Sequence, residues 1–145
     1  KVQQFTENYD TLLVGIEMSR KTLYTRINKR VDIMLGHGLF NEVKALVEQG
    51  FESSQSMQAI GYKELVPVIK GEMELEPAIE LLKQHSRQYA KRQLTWFKNK
   101  MNVQWFDRET MSLQMMLDEI TTQINKRSSK HDCKPKHPRS STREL

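Results

Sequence analysis

The sequence predicts an α/β chain that is mostly helical, with about two short strands near residues 11–17 and 103–106. Three observations carry this expectation. Thr11-Leu-Leu-Val-Gly-Ile-Glu17 is a short, nearly continuous apolar run with polar flanks, the pattern of a strand covered on both faces of a parallel sheet. Leu23, Ile27, Val31 and Met34 then recur at helical spacing. Finally, Lys83 to Lys100 contains neither Gly nor Pro, as a long helix requires. The only other strong strand candidate is Val103-Gln-Trp-Phe106, so most of the sheet that β-structure at residues 11–17 needs is expected to come from outside this sequence.

In chain order, Ser19 has the chemistry of an N-cap, and Met18 and Leu23 are placed to form a hydrophobic staple over the first turn of a helix starting near Arg20. Arg26 and Arg30, four apart, project from one edge of that helix. Such a pair either clamps a diphosphate with paired hydrogen bonds or is simply a solvated surface pair. Gly36 and Gly38 around His37 punctuate the helix end, and a second helix is expected from about Leu39 to Gln49 with Val43, Leu46 and Val47 inward. Phe51 to Gln58 reads as a polar loop. Gly61 sits where a backbone can approach a ligand, Tyr62 and Lys63 offer a ring and a charge, and a helix over about Tyr62 to Ile69 packs through Leu65, Val66 and Ile69. Glu72, Glu74, Glu76 and Pro77 suit the first turn of a helix running from about Leu75 to Lys98. After the strand at Val103, Asp107 is a candidate cap, and a last helix over about Met111 to Ile124 packs through Leu113, Met116, Leu117 and Ile120.

The chain has 145 residues, 37% of them hydrophobic, enough for one domain with a core. Its formal charge of +5 resides entirely in residues 126–145, where seven basic residues face Asp132 and Glu144; the rest is balanced. The organisation expected is therefore a body over residues 1–125 and a basic, disordered tail over 126–145. His131, Cys133 and His137 in that tail lack the spacing and the fourth ligand of a zinc site. One cysteine precludes an internal disulfide and fits a reducing compartment. No apolar run approaches the roughly 20 residues of a spanning helix, and no signal-peptide pattern opens the chain. A cytoplasmic monomer with no membrane attachment is the expectation.

Charge within the body is local. Lys83, Arg87, Lys91, Arg92, Lys98 and Lys100 lie in a stretch with no acidic residue, interleaved with Tyr89, Trp96 and Phe97. On a helix, Ile79, Leu82, Ser86, Tyr89, Ala90, Gln93 and Phe97 share one face, with Lys83, Arg87, Lys91 and Lys98 as a stripe beside it. Such a stripe can neutralise phosphates while an exposed ring stacks on an unpaired base. Composition alone favours the plainer reading, a solvated charged helix whose aromatics are core.

Four segments in order resolve that ambiguity: Leu23-Tyr-Thr-Arg-Ile-Asn-Lys-Arg-Val31, Met34-Leu-Gly-His-Gly38 with Glu42-Val43, Ala59-Ile-Gly-Tyr-Lys-Glu64, and Arg87-Gln-Tyr-Ala-Lys-Arg-Gln-Leu-Thr-Trp-Phe97. Together, over about Asp10 to Ile124, they resemble the C-terminal half of bacterial tRNA dimethylallyltransferases. The resemblance implies transfer of the dimethylallyl group of dimethylallyl diphosphate to N6 of the adenosine 3′ of a tRNA anticodon, with the base flipped from its stack. It also implies a P-loop nucleotide-kinase-like core, with Mg2+ and the phosphate-binding loop holding the diphosphate. By the same resemblance, Arg26 and Arg30 stabilise the departing diphosphate, Arg26 ahead of Arg30. Gln58, Ala59, Ile60, Gly61, Tyr62 and Lys63 are implied to contact the tRNA anticodon stem-loop, as are Lys91, Arg92, Gln93, Thr95, Trp96 and Lys98. No metal ligand is assigned in this chain.

The departures from the family pattern are as informative. No G-x-x-x-x-G-K-[ST] occurs anywhere in the chain, and neither the general-base aspartate nor the helical insertion that grips the anticodon stem can be placed. The chain reads as the C-terminal piece of the enzyme, inactive alone. Two other readings stand beside it: a non-catalytic helical RNA-binding module, and a prenyltransferase acting on free adenine nucleotides, for which the basic helix has less use.

Overall fold

The computed structural model describes residues 11–131. Two compact units are present: Met18–Asn102 is one, and the strands and last helix outside it belong to the other.

The helical unit holds α1 (Arg20–Gly36), α2 (Leu39–Glu48), two 3-10 turns (Phe51–Ser53 and Gln55–Gln58), α3 (Val66–Ile69) and α4 (Leu75–Lys100). Ser19 caps α1 as its chemistry predicts, its Oγ accepting from the Thr22 N–H at 3.3 Å, a contact worth about 1 kcal/mol. The amphipathic faces of α2 and the start of α4 close on the turns between them, burying Val43, Met57, Leu65 and Ala78. Val31 of α1 and Leu82 of α4 are also buried.

Three sequence expectations change in this unit. The segment predicted as loop winds into two 3-10 turns, because Met57 needs a fixed backbone to reach the core. The helix expected from Tyr62 forms only at Val66; Gly61 has φ +109°, and the residues after it run through turns. The apolar face of α4 does not stay buried to its end: Tyr89 is 49% and Phe97 41% exposed, so Phe97 is not core. The core beneath α4 stops near Leu82, while helical periodicity continues beyond it.

In the other unit, β1 (Leu13–Glu17) and β2 (Val103–Asp107) pair in parallel, Leu13 opposite Val103 through Glu17 opposite Asp107. Both expected strands form, but Leu13, Val14 and Ile16 of β1 are exposed in this chain rather than covered on both faces. Gly15 faces Trp105, and a Cβ there would stand 2.6 Å from Trp105 Cε3, so the ring can lie across β1 only over a glycine. The helix α5 (Leu113–His131) starts from Ser112, whose Oγ accepts from the Met115 N–H at 3.2 Å. Asp107 instead caps the preceding turn, accepting from the Glu109 N–H at 2.8 Å. Of the packing residues expected on α5, Met116 is buried while Leu113 and Leu117 are exposed. The helix runs past Ile124 to His131, so the basic segment opens as helix; Arg127 reaches back to donate to the Thr11 carbonyl at 2.6 Å. Cys133, His137 and the rest of the tail lie outside the described residues.

Candidate functional site

Position along α4 divides its basic stripe in two. Lys83 is largely covered, with Nζ 2.9 Å from Asp32 Oδ1 and 3.5 Å from Glu80 Oε1. The hydrogen bond to Asp32 is the main cause holding its ammonium pKa above the ordinary lysine value, against the opposing effect of burial. Arg87 donates from Nη1 to Asn28 Oδ1 at 2.7 Å. Both side chains fasten α4 to α1, which removes them from the cations available to a ligand. Further along, Lys91, Arg92 and Lys100 are exposed and make no ion pair among the described residues.

Around this second half lie two concavities. A shallow one of about 510 Å³ is lined by Gln88, Lys91, Arg92, Thr95, Trp96, Asn99 and Lys100 along α4. Trp96 is 52% exposed and meets Phe97 edge-on, ring centroids 5.0 Å apart. The larger, an open groove of about 780 Å³, draws on three elements. From α1 come Ile27, Arg30, Val31 and Met34; from the turn before α3 come Gln58, Ala59, Ile60 and Lys63; from α4 come Ser86, Tyr89, Ala90, Arg92 and Gln93. The Arg92 guanidinium carbon stands 5.9 Å from the Tyr89 ring centroid, so cation and exposed ring are adjacent on one wall. Arg92 lines both concavities.

The turn that forms the loop wall is fixed from within. Gly61 adopts the left-handed backbone that favours glycine, and its N–H donates to Glu64 Oε2 at 2.8 Å. Glu64 is the buried charged residue of the described core, 5% exposed. Its other oxygen, Oε1, lies 2.6 Å from His85 Nδ1 on α4 and 3.9 Å from Lys63 Nζ. A carboxylate only accepts, so the imidazole hydrogen sits on Nδ1. Tyr62 turns away from the groove and donates its hydroxyl to Glu42 Oε1 on α2. That hydrogen bond, followed by burial, raises the phenol's pKa above its ordinary 10.0.

The groove thus brings together Arg30, Gln58, Ala59, Ile60, Lys63, Arg92 and Gln93 from the sequence-derived set, and the shallow concavity adds Lys91, Thr95 and Trp96. Gly61 shapes the turn and Tyr62 packs toward α2, so neither lines the groove. Arg26, one turn before Arg30, is exposed and lines neither concavity; nor does Lys98. Sequence reasoning missed Tyr89, Ser86 and Ala90 as groove residues because their helical spacing reads as core. It also missed Gln88, Asn99, Lys100 and Glu64; the signal for Glu64 was a carboxylate directly before the apolar run Leu65-Val66. Among the described residues no group of three or more His, Cys, Asp or Glu side chains could hold a metal ion. No described helix is long and apolar enough to cross a membrane. Clustered cations, an adjacent exposed ring and amide side chains suit a polyanion carrying stacked or hydrogen-bonding bases.

A family model described as IPP transferase matches residues 1–100. A tRNA dimethylallyltransferase from Staphylococcus haemolyticus (strain JCSC1435) is 88% identical over 145 residues, covering 100% of this chain and 44% of the relative. One from Staphylococcus aureus (strain MRSA252) is 82% identical over 124 residues, 86% of this chain and 40% of the relative. Among solved structures, a tRNA delta(2)-isopentenylpyrophosphate transferase from Staphylococcus epidermidis superposes with TM-score 0.80 at 86% identity, over 87% of this chain and 41% of that one. The full-length tRNA isopentenylpyrophosphate transferase from Bacillus halodurans gives TM-score 0.79 at 44% identity, over 88% of this chain and 43% of that one. The chain therefore spans less than half the length of these relatives.

Proposed function

This chain belongs to the IPP transferase family, and from that footing we propose that it forms the C-terminal part of a tRNA dimethylallyltransferase, supplying much of the surface that holds the acceptor RNA. The observation that carries the reading is the groove itself: Arg30, Lys63 and Arg92 come from three separate elements to one concavity beside the exposed Tyr89 ring.

In the reaction, the N6 lone pair of the adenosine 3′ of the anticodon attacks C1 of dimethylallyl diphosphate. The C1–O bond breaks, diphosphate leaves, and the proton on N6 passes to a base. Lys91 and Arg92 hold backbone phosphates, and Lys98 extends that contact. Gln93 and Thr95 offer hydrogen bonds near the base, and the Gln58–Lys63 turn closes the other wall. Trp96 offers a stacking face. Arg26 and Arg30 take up charge on the departing diphosphate, Arg26 ahead of Arg30. The sequence holds no phosphate-binding loop motif, so the donor's phosphate cradle and its Mg2+ belong to the part of the enzyme this chain does not span. The isolated chain is accordingly inactive.

The test compares full-length enzyme with this chain, using labelled dimethylallyl diphosphate and either an anticodon stem-loop RNA or free adenine nucleotides. Transfer to RNA by the full-length enzyme alone is expected. Preference for free nucleotides would overturn the acceptor assignment, and turnover by the isolated chain would overturn its inactivity.

A further inference from the structure

Glu64 does not itself line the groove, yet it is bonded to the elements that form both of its walls. Its Oε2 accepts the Gly61 N–H at 2.8 Å, inside the turn that carries Gln58 to Lys63, and its Oε1 meets His85 Nδ1 on α4 at 2.6 Å. His85 directly precedes Ser86, where α4 begins to line the groove. One carboxylate with a 2% exposed side chain therefore links the loop wall to the helix wall. Burial of a carboxylate is costly unless it is hydrogen-bonded or paired, and here the backbone donor and the imidazole hydrogen-bond to it while the Lys63 ammonium stands 3.9 Å from Oε1. The core could fill this position with an apolar side chain at no such cost, but an apolar side chain would fix neither Gly61 nor His85.

We infer that Glu64 is a positioning residue for RNA: it sets the spacing between the Gln58–Lys63 turn and α4, and so the width of the groove, without touching the substrate. This rests on the groove being the RNA-binding surface. A glutamine can keep both links, its carboxamide oxygen accepting from Gly61 and its NH2 donating to a neutral His85 whose hydrogen has moved to Nε2. An alanine keeps neither.

The experiment uses the full-length transferase carrying this segment, with an anticodon stem-loop RNA as probe, at a temperature well below each variant's melting midpoint. Glu64→Ala is expected to raise the KM for RNA about tenfold, with kcat at saturating RNA and the KM for the prenyl donor within about twofold of the parent, as loss of uniform binding requires. Glu64→Gln is expected to restore most of the RNA KM, and Glu64→Ala with His85→Ala to be less than additive on it. If Glu64→Ala does not fold, His85→Ala, which removes only the α4 half of the link, carries the same expectation. A lowered melting midpoint with an unchanged RNA KM would make Glu64 purely structural and overturn the inference. A variant lacking Lys91 and Arg92 run in parallel separates the two levels: if it too leaves the RNA KM unchanged, the groove is not the RNA surface and both readings fall together.

Discussion

Arg87 Nη1 donates to Asn28 Oδ1 across 2.7 Å, joining α4 to α1 at the point where the basic stripe changes from structural to available. Its guanidinium is therefore committed to holding the two helices together. Arg87→Ala is expected to lower stability by about 1.5–3 kcal/mol, the usual cost of losing a charged hydrogen bond, while leaving the salt dependence of RNA binding where it was. Denaturant unfolding and a salt titration of binding, read on one preparation, check both halves.

Lys91 and Arg92 should behave in the opposite way. Both are exposed and free of ion pairs among the described residues, so substituting both with alanine should leave stability within about 0.5 kcal/mol. RNA affinity should fall, and the magnitude of the log–log salt slope should drop by about one to two, as two phosphate contacts are lost. An unchanged slope would remove α4 from the phosphate-binding surface.

Gly15 answers to packing. An added Cβ would meet Trp105 Cε3 and Cζ3 at 2.6 Å and Val103 Cγ1 at 2.8 Å, all within the β1–β2 pair. Gly15→Ala should cost about 1–3 kcal/mol, the range for overpacking, and should shift the tryptophan emission as the Trp105 ring is displaced. Thermal unfolding of the full-length protein followed by fluorescence measures both.

Tyr62 ties part of the fold's stability to pH on the alkaline side. Its folded pKa lies above 10.0 because the phenol donates to Glu42, so the neutral form is favoured in the native state. The contribution is complete below the unfolded value near 10 and disappears as pH rises through the folded value. In a spectrophotometric titration of the tyrosines, one should ionise late, and Glu42→Ala should bring it back toward the others. Tyr62→Phe should leave RNA affinity unchanged, since the hydroxyl faces α2.

Much of this architecture is legible in the residues because local chemistry decides it. Ser19 caps α1, Leu75 begins α4, and the apolar runs at Leu13–Glu17 and Val103–Asp107 form strands, all from patterns that span a few neighbours. What escaped is what depends on distant partners. Lys83 and Arg87 look the same as Lys91 and Arg92 in sequence, and only Asp32 and Asn28 on α1 tell them apart. Tyr89 and Phe97 keep helical register with Leu82, but periodicity marks a face of the helix without marking where the core beneath it ends. Glu64 is decided by Gly61 three residues away and by His85 on α4; only the first lies within reach of a local reading.

The parallel partners β1 and β2 are separated by the entire helical unit. Parallel strands so far apart in sequence meet only after the intervening chain has closed the loop between them, and such pairings form late. On the ribosome, Leu13, Val14 and Ile16 are joined to the chain on the order of ten seconds before Val103 is added, at ordinary synthesis rates. For that interval the first strand of this segment has no β2 to pair with.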